Sequence, residues 1–352
     1  MSRPEPTPSS PQRSAAPESA AAPEWAAAPA RTPSRALTSA PVLAHVVRCG
    51  TVESLHHGCA VVTAPDGSVQ HAWGEPSDVV FPRSANKPLQ AVGLLEVGLQ
   101  LPPPQVAVAC ASHSGEPYHL DTVRAILAGV GLDETALRNT PGYPVDLAAS
   151  EAWIRAGRGP ASITQNCSGK HAAMLATAAH HGWACDTYLD PDHPVQQAVT
   201  RGLERVTGER VHVVAVDGCG APLHGIPLVA LARAFGRLAS AAAGSAEGRV
   251  ADAMRAHPDL VGGTGRQVTA LMREAPGVVA KDGAEAVYAV GLADGRGVAV
   301  KIADGHTRAK AVVLAAVLRH VGAVPPAAYR ALAHAPVLGH GVPVGAVEAV
   351  GI

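Results

Sequence analysis

The sequence predicts an α+β fold in which strands from both ends of the folded chain share one antiparallel sheet, packed against a mainly helical middle. Three observations lead there. A strand hairpin opens the folded part, apolar residues recur at helical spacing through the middle, and three strand-like runs followed by a helix close it. Neither set of strands is stable with bare edges, so the first and last β segments are expected side by side.

Residues 1–40 form a Pro/Ala/Ser-rich tail that cannot bury enough apolar surface to offset its ordering entropy, and disorder is expected there. Residues 41–352 are expected to form a single domain, part α/β and part helical insert. Residues 42–49 and 58–64 read as strands. Pro65-Asp66-Gly67 is a turn signal, and residues 68–73 return as a strand. From Ser84 the pattern becomes helical, with Leu89, Val92 and Leu95 on one face. Residues 106–111 read as a short apolar strand running into the polar turn Ser112-His113-Ser114-Gly115-Glu116, and a helix follows over 117–128. Helices are expected over 171–181, 195–206, 227–240 and 251–256. A strand over 211–216 interrupts them and ends in Asp217-Gly218-Cys219-Gly220. Residues 277–281, 286–291 and 297–302 read as strands and 307–321 as the closing helix.

The chain has 352 residues, 47% of them apolar, and a formal net charge of −1. That length and composition support a sizeable core. The balanced charge leaves no electrostatic footprint for nucleic acid or an anionic membrane. No run of eighteen apolar residues is present, so no membrane span is expected. Six cysteines and an N-terminus without a secretory hydrophobic region point to the cytoplasm, where thiols stay reduced.

Arg83-Ser84-Ala85-Asn86-Lys87-Pro88 places a serine and a lysine three residues apart at a helix start, on one face. A serine hydroxyl is a weak nucleophile until a neighbouring base takes its proton, and lysine is that base only when its amine is held uncharged. The helix start also offers free N–H groups to an oxyanion. Ser112 lies in a polar turn after an apolar run, and Lys281-Asp282-Gly283 ends a later strand. S-x-x-K, a central serine and K-T-G occur in that order in penicillin-binding proteins and β-lactamases, although Asp282 here replaces the threonine. Cys167 and Cys219 come from separate loops and are either a soft-metal pair or buried inert thiols. Zinc usually takes four ligands, and Lys170, His171, Asp217 or water would have to complete the shell. Gly262-Gly263-Thr264-Gly265-Arg266 lacks the preceding strand and the G-K-[ST] of a phosphate loop, which argues against nucleotide binding.

Taken with Cys110-Ala111-Ser112-His113-Ser114-Gly115-Glu116, Asn166-Cys167-Ser168-Gly169-Lys170-His171-Ala172, Val216-Asp217-Gly218-Cys219-Gly220-Ala221-Pro222 and Lys281-Asp282-Gly283-Ala284-Glu285, the Ser84 motif resembles those of the asparaginase II family, the Rhizobium-type (class 3) L-asparaginases. The resemblance implies a fold like that of serine β-lactamases and glutaminases. It implies hydrolysis of L-asparagine to L-aspartate and ammonia, a small-molecule substrate and a homodimer. It also implies two Ser–Lys tandems, Ser84 with Lys87 and Ser112 with Lys281, Lys301 being the other candidate for the distal lysine. Cys167, Lys170 and Cys219 match the family's zinc (Zn2+) ligands, and Asp217 would hydrogen-bond within the site. Arg83, His113, Asp217 and Gly218 are expected around the substrate. The rival readings are a glutaminase or another serine amidase on the same scaffold, and a non-catalytic zinc-binding protein.

Overall fold

The computed structural model describes residues 34–323 and 325–352. Most of the tail expected to be disordered lies outside the described residues. Its last part holds a short helix α1 (Arg35–Thr38), and Ala40 is buried.

β1 (Val42–Arg48), β2 (Thr51–Thr63) and β3 (Val69–Trp73) follow as antiparallel neighbours. The turn at Pro65-Asp66-Gly67 works as expected: Gly67 takes φ 86°, and the Asp66 carboxylate accepts from the Ser68 N–H at 2.9 Å. β4 (Val79–Val80), β5 (Val213–Val216) and β6 (Pro222–Pro227) make a small separate sheet in the order β4-β6-β5. β7 (Val279–Gly283), β8 (Val287–Gly291) and β9 (Gly297–Ile302) form a meander that returns to the start of the chain, setting Val300 of β9 opposite Ala60 of β2. β10 (Pro336–Gly339) and β11 (Val342–Ala349) finish the sheet, with Val347 of β11 opposite Val46 of β1. Among the described residues the main sheet therefore runs β10-β11-β1-β2-β9-β8-β7, with β3 also on β2, and every pairing is antiparallel. This is the shared α+β sheet that bare edges demanded.

The middle of the chain is helical: α2 (Lys87–Glu96), α3 (Pro103–Ala109), α4 (Pro117–Ala128), α5 (Leu147–Arg155), α6 (Ser168–His180), α7 (Pro194–Thr207), α8 (Leu228–Ala239), α9 (Ala246–Ala256), α10 (Pro258–Val261) and α11 (Gln267–Glu274). α12 (Thr307–His320) and α13 (Pro326–Ala333) follow β9. β8 and β9 bury every residue, because α8 and α12 both pack on them. That double burial explains their near-continuous apolar runs.

Residues 106–111 correct the sequence reading. Most of the run belongs to α3, whose four residues from Val106 to Ala109 are all buried. A short apolar run reads as a buried strand or a buried helix with equal ease. Pro103 and Pro104 decide for the helix, since proline fits its first turn. α3 in turn seats α6. A Cβ on Gly169 would overlap the carbonyl of Val108, so only glycine lets the first turn of α6 lie against α3.

Candidate active site

Ser84 stands in a 3-10 turn, Arg83–Asn86, that runs directly into α2. Three residues per turn eclipse positions i and i+3, so Ser84 and Lys87 point the same way. Arg83 enters the turn with φ 53°, a left-handed backbone that is costly outside glycine and concentrates at functional sites. Lys87 is only 1% exposed, and its amine donates to the Ala111 carbonyl at 2.6 Å and to Ser112 Oγ at 3.2 Å. Ser84 and Ser112 face one cavity of about 710 Å³, together with Asn166, Arg266, Asp282 and Lys310. The volume is in the range of small-molecule sites.

The hydrogen bonds differ from the two expected tandems. Lys87 joins Ser112, while the Ser84 hydroxyl has no hydrogen-bond partner among the described residues. Lys281 donates to the carbonyl of Asp282 at 2.5 Å and to its carboxylate at 3.2 Å. What brings Lys281 here is Gly283. A Cβ at that position would stand 2.5 Å from the Pro82 carbonyl and 3.4 Å from the Ser84 nitrogen. The end of β7 can therefore press onto the serine turn, which a larger residue would prevent. Lys301, the other candidate, instead donates to the carbonyl of Glu285 at the β7–β8 turn.

The electrostatics centre on Asp282. Its carboxylate meets Lys310 at 3.0 Å, Lys281 at 3.2 Å and Arg266 at 3.6 Å. Burial opposes ionisation, but these three cations overwhelm it and hold the carboxyl far below its usual range. Lys281 is fully buried. Burial pushes its amine down to about 8, with Lys87 and Arg266 adding to the fall and Asp282 resisting it. An amine in that range can exchange a proton near neutral pH.

His113 belongs to the wall behind the cavity. It is fully buried; its Nδ1 accepts from the Gly115 N–H at 3.2 Å, which leaves Nε2–H to donate to Ser168 Oγ at 2.8 Å. Burial pushes its basicity well below the usual histidine range. Both nitrogens are used by the protein, so His113 positions the segment around Ser112 instead of meeting a ligand in this cavity. Arg83, Asp217 and Gly218 are likewise absent from the cavity lining. Arg83 Nε reaches Asp217 Oδ1 at 2.8 Å, and the same oxygen accepts from the Gly218 N–H at 2.9 Å. These three residues tie the serine turn to the Cys219 loop.

Cys167, Lys170 and Cys219 do converge. Both thiols and the amine are buried, the Lys170 amine lies 3.2 Å from Cys219 Sγ, and the two cysteines pack in one small cluster. The neighbouring Cys167, helped by Lys170, holds the Cys219 thiol down to about 5, while proximity to Cys219 and burial push Cys167 up to about 12. Burial would discharge Lys170, but Cys219, Cys167 and Asp217 keep its proton on. One thiolate and one ammonium thus neutralise each other. Two sulfurs and an amine nitrogen in contact form a donor set that suits a soft divalent ion, provided Lys170 and Cys167 give up their protons. Among the described residues no group of three or more His, Cys, Asp or Glu could hold a metal, so the lysine is essential to the set. Asn166 lines the cavity and accepts from the Cys167 thiol at 3.1 Å, linking the two sites.

The sequence alone does not single out Arg266 or Lys310. Both come from helix starts far along the chain from Ser84. The only local signals are the glycines preceding Arg266 and a lysine within the apolar face of α12.

The family model for L-asparaginase II matches residues 44–349. The protein is therefore a hydrolase acting on amides. More narrowly, the chain belongs to the L-asparaginase II family. No curated protein matches it. Among solved structures it is similar to a protein designated Mglu, with 13% identity, a TM-score of 0.41, and coverage of 75% of this chain and 67% of that one. It is also similar to a β-lactamase from Mycobacterium bovis, with 14% identity, a TM-score of 0.34, and coverage of 75% and 94%. No helix among the described residues is long and apolar enough to cross a membrane.

Proposed function

We propose that the protein hydrolyses L-asparagine to L-aspartate and ammonia through an acyl-enzyme on Ser84. The observation that carries this reading is one cavity holding two serine hydroxyls, with the buried Lys87 bonded to one of them and Lys281 behind. Ser84 Oγ attacks the side-chain amide carbon. Its proton passes to the Lys87 amine, directly or through Ser112, and then to the departing nitrogen, which leaves as ammonia. N–H groups at the start of the 3-10 turn, free of helical partners, hold the oxyanion. Water then hydrolyses the ester, with Lys281 as the second group able to take up a proton near neutrality. Cys167, Lys170 and Cys219 would hold zinc, which would supply a fixed positive charge for anchoring substrate beside Asn166. The enzyme is proposed to act as a homodimer.

The test is ammonia release by the purified protein from asparagine and glutamine, with nitrocefin as a β-lactam control, repeated for Ser84→Ala and Ser112→Ala. Asparagine should be the preferred substrate. Ser84→Ala should lose on the order of 10³-fold or more in turnover with its fold intact. Near wild-type turnover in that variant rejects the nucleophile, and preference for glutamine or nitrocefin rejects the substrate.

A further inference from the structure

We propose that Arg266 is the anchor for the substrate's carboxylate and thereby selects acid amides over neutral ones, an inference resting on the amide-hydrolase reading above. The glycine-rich loop before it has no phosphate-binding context, yet it is built with care. Ser112 N–H donates to the Val261 carbonyl at 3.1 Å, Ser114 Oγ donates to the Gly262 carbonyl at 3.0 Å, and Thr264 N–H donates to the Glu116 carboxylate at 3.0 Å. Gly263 sits at φ 133°, and a Cβ there would collide with Ser114 Oγ and stand 2.7 Å from Glu116 Oε2. The loop is thus clamped along the segment that carries Ser112, and it delivers Arg266 to the cavity wall.

Four cations line that cavity, and three are engaged. Lys310 is buried and holds Asp282 at 3.0 Å and the Gly283 carbonyl at 3.1 Å. Arg308 is turned onto His56 Nε2 at 2.7 Å. Arg48 pairs with Glu53 at 3.0 Å and with the Leu338 carbonyl at 3.2 Å. Arg266 makes only long contacts, 3.5 Å to Ser114 Oγ and 3.6 Å to Asp282, and its side chain is 28% exposed. Asp282 is already neutralised by two closer lysines. The Arg266 fork therefore faces the same space as Ser84 and Ser112 with charge and donors to spare, and a planar fork matches a carboxylate in bidentate fashion.

The experiment compares kcat/KM for L-asparagine, for succinamate, which keeps the carboxylate but lacks the amine, and for L-asparaginamide, which lacks the carboxylate, in wild type, Arg266→Gln and Arg266→Lys. Arg266→Gln should raise KM for asparagine and succinamate on the order of a hundredfold with a much smaller change in kcat. The asparagine-to-asparaginamide preference should collapse, and Arg266→Lys should restore part of it. A variant that merely loosens the loop lowers all three substrates together, and that outcome, like an unchanged preference, overturns the assignment. Calorimetric binding of L-aspartate needs no turnover. It should weaken by a similar factor in Arg266→Gln, and equal binding overturns the inference even if wild type proves inactive on asparagine.

Discussion

Replacing Asp282 by asparagine removes the counter-charge of three cations while nearly keeping its shape. The carboxylate is 16% exposed, and two of its partners, Lys281 and Lys310, have side chains only 0% and 8% exposed. Removing one member of a buried ion pair costs about 3–5 kcal/mol, because the partner stays buried without its counter-charge. Asparagine keeps one carbonyl acceptor, so the loss should fall near the lower end, about 3 kcal/mol or roughly a 150-fold shift in the folding equilibrium. Urea unfolding should show a lower midpoint with an unchanged slope. The pH dependence has a definite sign. The folded carboxyl lies far below its unfolded value of about 3.9. Its contribution is therefore complete above that value and is lost progressively as pH falls from there through the folded one. The gap between wild type and variant should thus persist down to about pH 4–5 and narrow below it. A second readout follows from Lys281, whose amine burial pushes down to about 8 and Asp282 pulls up. Activity that needs the neutral amine rises through about pH 8 in wild type, and in Asp282→Asn that limb should move to lower pH. A wild-type unfolding midpoint, or a limb displaced to higher pH, would refute this account of the cluster.

Two further outcomes test the rest of the architecture. Purified protein should carry zinc by atomic emission, and Cys219→Ser should lose it, with KM for asparagine rising more than kcat falls; metal retained at full occupancy would remove Cys219 from the donor set. Gly169→Ala should destabilise by about 1–3 kcal/mol, because its methyl would meet backbone of α3 that cannot swing aside. A melting temperature equal to wild type would show that α6 can shift at little cost.

The sheet was legible where alternation and turn chemistry agree, as in β2, the Pro65-Asp66-Gly67 turn and β3. β10 and β11 were not, because Pro336, Gly339, Gly341, Pro343 and Gly345 read as loop. Proline is tolerated because Pro336 begins the edge strand β10 and Pro343 lies beyond the last β1 partner of β11, Gly345, beside a register shift, a tertiary circumstance that local sequence does not record. The same division runs through the site. Motif order nominates Ser84, Lys87, Ser112 and Lys281, and the need to cover bare strand edges sets the late strands beside the early ones, with the end of β7 against the serine turn. Which amine bonds which hydroxyl was not readable. Lys87 reaches Ser112 because α3 ends where it presents the Ala111 carbonyl to the amine, and that depends on a helix the sequence rendered as a strand.

The main sheet places the chain's early and late strands next to each other, β1 being bordered by β11 and β2 by β9. During synthesis β1 and β2 emerge long before these neighbours exist, so a nascent chain carries exposed strand edges until Gly297–Ile302 arrives to cover β2 and Val342–Ala349 to cover β1. Contacts of such sequence separation close slowly. Maturation is therefore a late event: the serine turn is translated early, yet the Gly283 contact that seats Lys281 behind it cannot form until β7 has arrived. An incomplete polypeptide would hold the nucleophile without its surroundings, and chaperones that shield unpaired edges should influence the yield of working enzyme.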